Sequence, residues 1–67
     1  MEVIINNEIK ILHEPCTVQD MLNQVVQDRQ KGIVVAVNQT VIPKTEWANY
    51  FLKSNDEILI IKATQGG

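Results

Sequence analysis

The apolar residues Val18, Met21, Leu22, Val25 and Val26 recur at i, i+3, i+4, i+7 and i+8, the spacing that lays one apolar stripe along a helix. No other element is so clearly marked, and most of the remaining apolar residues lie in short β-branched runs. An amphipathic helix cannot bury its stripe alone, and 67 residues hold a single core, so this helix has to lie on a sheet made from the rest of the chain. Thr17 is placed to cap the helix, Asp20 in its first turn and Arg29 and Lys31 in its last complement the helix dipole, and Gly32 can supply a left-handed residue to end it. The polar side, Gln19, Asn23, Gln24 and Gln27, is expected in water.

The runs at residues 2–5 and 8–12 flank Asn6-Asn7, a dipeptide that tolerates the positive φ of a two-residue hairpin turn. Residues 33–37 form a strand apolar on both faces, Asn38-Gln39 a turn, and residues 40–42 a short strand that Pro43 confines to an edge. Trp47, Tyr50 and Phe51 at i, i+3 and i+4 suggest one or two helical turns. Ser54-Asn55-Asp56 then turns the chain into a last strand at 57–63. The order hairpin, helix, strand, irregular segment, strand predicts an α+β fold, a ubiquitin-like β-grasp with a mixed sheet of four or five strands, one main helix on one face and a flexible C-terminal tail. Residues 1–63 form its one domain and 64–67 the tail, expected to be mobile because it has no apolar anchor and carries two glycines. One helix covers one face. Leu59 and Ile61 point away from Ile58 and Ile60, which makes them candidates for a partner-docking surface unless the Trp47 to Phe51 segment covers it.

Charge and composition narrow the function. The net charge is −2, and the six basic residues are scattered, which removes the electrostatic basis for nucleic-acid binding. No stretch approaches the roughly 18 apolar residues of a membrane span, and no basic leader opens the sequence, so a cytoplasmic protein is expected. The lone Cys16 has no internal disulfide partner, in keeping with a reducing compartment. Metal-ligand spacings, glycine-rich loops and nucleophile motifs are missing, so the chain does not read as an enzyme. Cys16 with His13 is the tempting pair, but the plainer assignment is a packed thiol and a surface imidazole. Glu14, Asp20, Asp28, Glu46, Asp56 and Glu57 read as solvated surface, with steering towards a basic partner as the sharper alternative. The three clustered aromatics read as core and core-edge packing.

The terminus is what remains. Thr64, Gln65, Gly66 and Gly67 reach about 13 Å when extended, and the two glycines carry no side chain to block entry into a narrow active site. The tail can deliver the carboxylate of Gly67 to another protein. A carboxylate is a poor electrophile, so anything attached to it needs prior activation, most simply as an acyl-adenylate made by a separate enzyme from ATP.

Ile4-Ile5-Asn6-Asn7, Thr17-Val18-Gln19-Asp20-Met21-Leu22, Val35-Ala36-Val37-Asn38, Val41-Ile42-Pro43-Lys44 with Trp47, Asn55-Asp56-Glu57-Ile58-Leu59 and the terminal Gly66-Gly67 occur in the order of one family. On these residues the chain resembles, along its whole length, the ThiS family, sulfur carriers of thiamin biosynthesis among the ubiquitin-like proteins. Asn55 stands where that family often has glycine and Lys44 where it often has arginine. Asparagine tolerates the left-handed turn and lysine keeps the charge. The resemblance implies that a ubiquitin-activating-like adenylyltransferase of the ThiF type adenylates Gly67, and that a persulfide donor then converts it to a thiocarboxylate. A thiazole synthase of the ThiG type would take the sulfur. No cofactor is expected on the chain itself, ATP being used by the activating partner, and with Gly67 as last residue no proteolytic step is expected. Molybdopterin or tRNA thiolation, an isopeptide-forming protein modifier and a plain interaction domain with an inert tail are the alternatives.

Overall fold

The structure is a computed structural model, and it describes residues 1–26 and 32–62. Five strands and one α-helix follow in the order β1 (Glu2–Ile5), β2 (Glu8–Ile11), α1 (Val18–Val25), β3 (Ile33–Val37), β4 (Thr40–Ile42) and β5 (Glu57–Lys62), with a 3₁₀ turn at Lys44–Glu46. They form one mixed sheet in the order β2-β1-β5-β3-β4, with β1 parallel to β5 and every other pair antiparallel. This is the α+β β-grasp arrangement. The asparagine turns form as the sequence dictates: Asn6 and Asn7 at φ 50 and 68, Asn38 and Gln39 at φ 49 and 73, and Asn55 at φ 71. Tight hairpins need φ above zero at both central residues, and asparagine tolerates it at low cost.

The helix begins at Thr17 through a reciprocal capping box. The Thr17 hydroxyl accepts from the Asp20 N–H at 3.0 Å, while the Asp20 carboxylate accepts from the Thr17 N–H at 3.1 Å. Asp20 therefore does more than complement the dipole. The helix closes earlier than its apolar spacing predicts, because Val26 is extended at φ −116 and only its N–H, bonded to the Leu22 carbonyl, joins the last turn. Arg29 and Lys31, expected in that last turn, lie outside the described residues, as do Gln27 and Asp28. Gly32 has the expected positive φ, 72, but α1 is already closed at Val26, so this residue leads into β3 and does not end the helix as expected.

Val18, Met21 and Leu22 bury against Val3, Ile5, Val35, Val37 and Ile58 on the inner face of the sheet. The aromatic segment departs from expectation. Its helical turn lies at Lys44–Glu46, ahead of the aromatic spacing, and Trp47 alone is buried, at 2% exposure, with its indole N–H donating to the Ile42 carbonyl at 2.9 Å. Tyr50 packs half-buried at the core edge, whereas Phe51 is exposed and Leu52 takes the interior position. Tertiary pairing decides this: Thr17 and Phe51 form an isolated antiparallel bridge, and the Val18 and Gln19 N–H groups donate to the Tyr50 and Trp47 carbonyls. Phe51 therefore follows the alternation of an extended chain. Leu12, expected at the end of the second strand, lies just past the end of β2, its main chain still bonded to Met1 and its side chain buried. The last strand ends at Lys62, and Ala63 lies outside the described residues. Among the described residues no helix is long and apolar enough to cross a membrane.

Candidate functional site

The predicted site has a root and a tip. The tip, Thr64, Gln65, Gly66 and Gly67, lies outside the described residues, so the expectation of a mobile tail and of a reactive terminus is carried by the sequence. The root is β5, the central strand of the sheet, paired with β1 on one side and β3 on the other. A strand in that place is held by two ladders, and whatever leaves its end at Lys62 starts from the best-supported line in the fold.

The alternation of β5 sends Ile58 into the core and Leu59 and Ile61 to the face opposite the helix, where each is 49% exposed. Register then brings further apolar residues onto the same face: Ala36 opposite Leu59, Val34 opposite Ile61, Val41 opposite Ala36, and Ile9 opposite Ile4. Ile11, opposite Glu2, extends it to the β2 edge. Of these, Ile9, Ile11 and Val41 are more than 60% exposed, a costly arrangement for a free-standing domain. The 47–51 segment does not cover the face, because its hydrogen bonds tie it to the start of α1 on the other side of the sheet. A shallow groove among Ile4, Ala36, Glu57 and Leu59 opens on it. Leu59 and Ile61 could be placed there from alternation alone, while Ile9, Ile11, Val34 and Val41 depend on the cross-strand register.

Two turn asparagines grip β5. The Asn38 carboxamide accepts from the Glu57 N–H at 3.0 Å and donates to Asp56 at 2.9 Å. Asp56 also accepts from the Lys53 N–H at 2.8 Å and is only 8% exposed, so among the predicted surface carboxylates this one is a buried, fully bonded turn residue. Its negative charge is offset by donors that the turn supplies. Glu14, Asp20, Glu46 and Glu57 are exposed as expected, and Asp28 lies outside the described residues. At the other end of the contact, the Asn6 carboxamide accepts from the Ile60 N–H at 2.8 Å and donates to the Ile60 carbonyl at 3.3 Å. Asn6-Asn7 announced the turn, but the second use of Asn6 has no signature in local sequence.

Cys16 and His13 do not form a reactive pair. Cys16 is 1% exposed, with its Sγ donating to the Thr17 carbonyl at 3.5 Å, whereas His13 is exposed. Burial first, and the Asp20 carboxylate second, push the Cys16 thiol above its ordinary value, which disfavours the nucleophilic thiolate. Among the described residues no cluster of three His, Cys, Asp or Glu side chains could hold a metal ion.

Comparison with known proteins agrees with this architecture. The sulfur carrier protein ThiS of Escherichia coli (strain K12) is 31% identical over 67 residues, covering all of both chains. The crystal structure of the thiamine biosynthesis protein ThiS from Geobacter metallireducens superposes with a TM-score of 0.86 at 17% identity, again covering both chains in full. The solution structure of a thiamine biosynthesis protein from the same organism gives 0.81 at 17% identity, covering all of this chain and 88% of the other. At that identity the structural likeness speaks to the fold, while the sequence match speaks to descent. With the ThiS family profile matching residues 3–67, from the first strand through the terminal glycines, the chain belongs to the ThiS family.

Proposed function

We propose that this protein is a sulfur carrier whose working group is the terminal carboxylate of Gly67, and that it serves thiamin biosynthesis. The observation that carries the reading is the family match running through Gly66-Gly67 on a β-grasp domain. The carboxylate of Gly67 attacks the α-phosphate of ATP in an adenylating partner of the ThiF type, and pyrophosphate leaves. The acyl-adenylate is an activated acyl group. The terminal sulfur of a cysteine persulfide displaces AMP from it, and cleavage of the resulting S–S bond by a thiol leaves the thiocarboxylate on Gly67. A thiazole synthase of the ThiG type is the acceptor. ATP is a substrate of the partner, and this chain binds no cofactor of its own.

The fold supports a division of labour between face and tail. The open face around Leu59 and Ile61 docks on the adenylating partner, since β5 bears both residues and leads directly to the tail, so a protein that holds the face holds the root of the tail. From Lys62 five residues remain, about 17 Å of extended chain, with glycine at the last two positions where an active-site channel is narrowest. The test is an intact-mass measurement of the protein purified from its own cells, alongside a search of the lysate for conjugates. A fraction heavier by the replacement of one oxygen by sulfur is the expected result. High-mass isopeptide conjugates would instead make it a modifier, and an unmodified terminus under thiamin starvation would overturn the carrier reading.

A further inference from the structure

We propose that Asn6 is a positioning residue for the terminal carboxylate, its side chain fixing the line along which β5 leaves the sheet. The proposal rests on the carrier reading and adds to it a residue outside the tail. The parallel ladder between β1 and β5 pairs Ile4 with Glu57 and Ile5 with Ile58, and β1 then ends. The main chain of Asn6 still reaches β5, its N–H donating to the Ile58 carbonyl at 2.9 Å, but at φ 50 it has begun the hairpin turn and cannot serve Ile60. Its carboxamide does so instead. Oδ1 accepts from the Ile60 N–H and Nδ2 donates to the Ile60 carbonyl, so one planar amide gives Ile60 the donor and the acceptor that a continued β1 would have offered. The amide orientation is fixed by this pair of bonds, since the reverse assignment would set donor against donor.

The effect falls at the last place where β5 is held from the β1 side by this turn. Beyond Ile60 come Ile61 and Lys62, paired across β3 with Val34 and Ile33, and then the tail. Without the carboxamide Ile60 loses both main-chain hydrogen bonds on its β1 side, and a strand end held by one ladder frays more readily than one held by two. Fraying at residues 60–62 would lengthen the segment that a partner must order before the carboxylate meets the α-phosphate, and in-line attack tolerates little misplacement. Asn38 grips the opposite end of the same strand, at Glu57, and so provides a matched control.

The experiment compares Asn6→Gly and Asn38→Gly, glycine being chosen because it keeps the left-handed backbone of both turns while deleting the carboxamide. ATP–pyrophosphate exchange is followed with the adenylating partner from the same cells, below the melting temperature of both variants. Asn6→Gly should lower kcat at least about tenfold with KM for the carrier within about threefold, because Leu59 and Ile61, the residues proposed to dock, are unchanged. Asn6→Asp, which keeps the acceptor and loses the donor, should fall between, and Asn38→Gly should retain kcat. An unchanged kcat in Asn6→Gly, or an equal loss in Asn38→Gly, overturns the proposal. Should the unsubstituted protein support no exchange at all, the carrier reading falls by itself, and the clamp is then judged on the free protein. There the Ile60 amide should exchange with solvent about tenfold faster in Asn6→Gly, and an unchanged rate refutes it.

Discussion

Cys16 holds the one side chain in this chain with strong intrinsic nucleophilicity, and its surroundings suppress that property. Packed among Val18, Leu12 and their neighbours at 1% exposure, with its pKa raised chiefly by burial, it stays a protonated thiol through neutral pH. In the proposed carrier role the working group is instead the main-chain carboxylate of Gly67, which needs reach and direction more than a tuned environment. Deleting Gly67 withdraws the carboxylate by about 3.5 Å, beyond the tolerance of in-line attack, and should abolish ATP–pyrophosphate exchange while the circular dichroism of the fold is unchanged. Cys16→Ser keeps a donor for the Thr17 carbonyl and should accept sulfur at a near-normal rate in the same assay. Loss of transfer in Cys16→Ser, or survival of exchange without Gly67, would move the chemistry off the terminus.

At the level of elements, the helix shows how local chemistry fixes a boundary. Thr17 and Asp20 exchange two hydrogen bonds at 3.0 and 3.1 Å, satisfying donors that the first turn of α1 cannot pair internally. Thr17→Ala should cost about 1 kcal/mol, read as a fall of about 4–8 °C in Tm by thermal denaturation. The elements that could be read from sequence are those settled this way: the cap, the amphipathic stripe, and the Asn6-Asn7 and Asn38-Gln39 turns, where residue type and backbone conformation are tied together. The 47–51 segment was not so legible. Its helical spacing of aromatics is real, yet the Trp47 indole is fixed by the Ile42 carbonyl and Phe51 by a bridge to Thr17, contacts made only once the chain has folded back on itself. The early close of α1 at Val25 likewise ignores the apolar residue that follows it. In the candidate site, alternation in β5 exposed Leu59 and Ile61, but the breadth of the apolar face depends on pairing partners that no single segment specifies.

Over the whole molecule, the two faces of the sheet have different duties, one sealed by α1 and one left apolar and open. Leu59→Glu or Ile61→Glu places a charge on the open face, where each native side chain is already half in water, and should shift Tm only slightly. Binding to the adenylating partner, measured by calorimetry, should weaken at least about tenfold because the charge has to be desolvated in the interface; unchanged affinity would place docking elsewhere. The strand that bears these residues is the last to be written and the middle one in space, lying between β1 and β3. Until residues 57–62 are in place the two hairpins, β1 with β2 and β3 with β4, have no strand to join them, and the sheet cannot close. A chain cut short before that point lacks the strand that joins the two halves of the sheet. Closure of the sheet thus reports that β5 has been made, and a product broken off at the start of that strand lacks the Leu59 and Ile61 with which the proposed docking face would hold a partner.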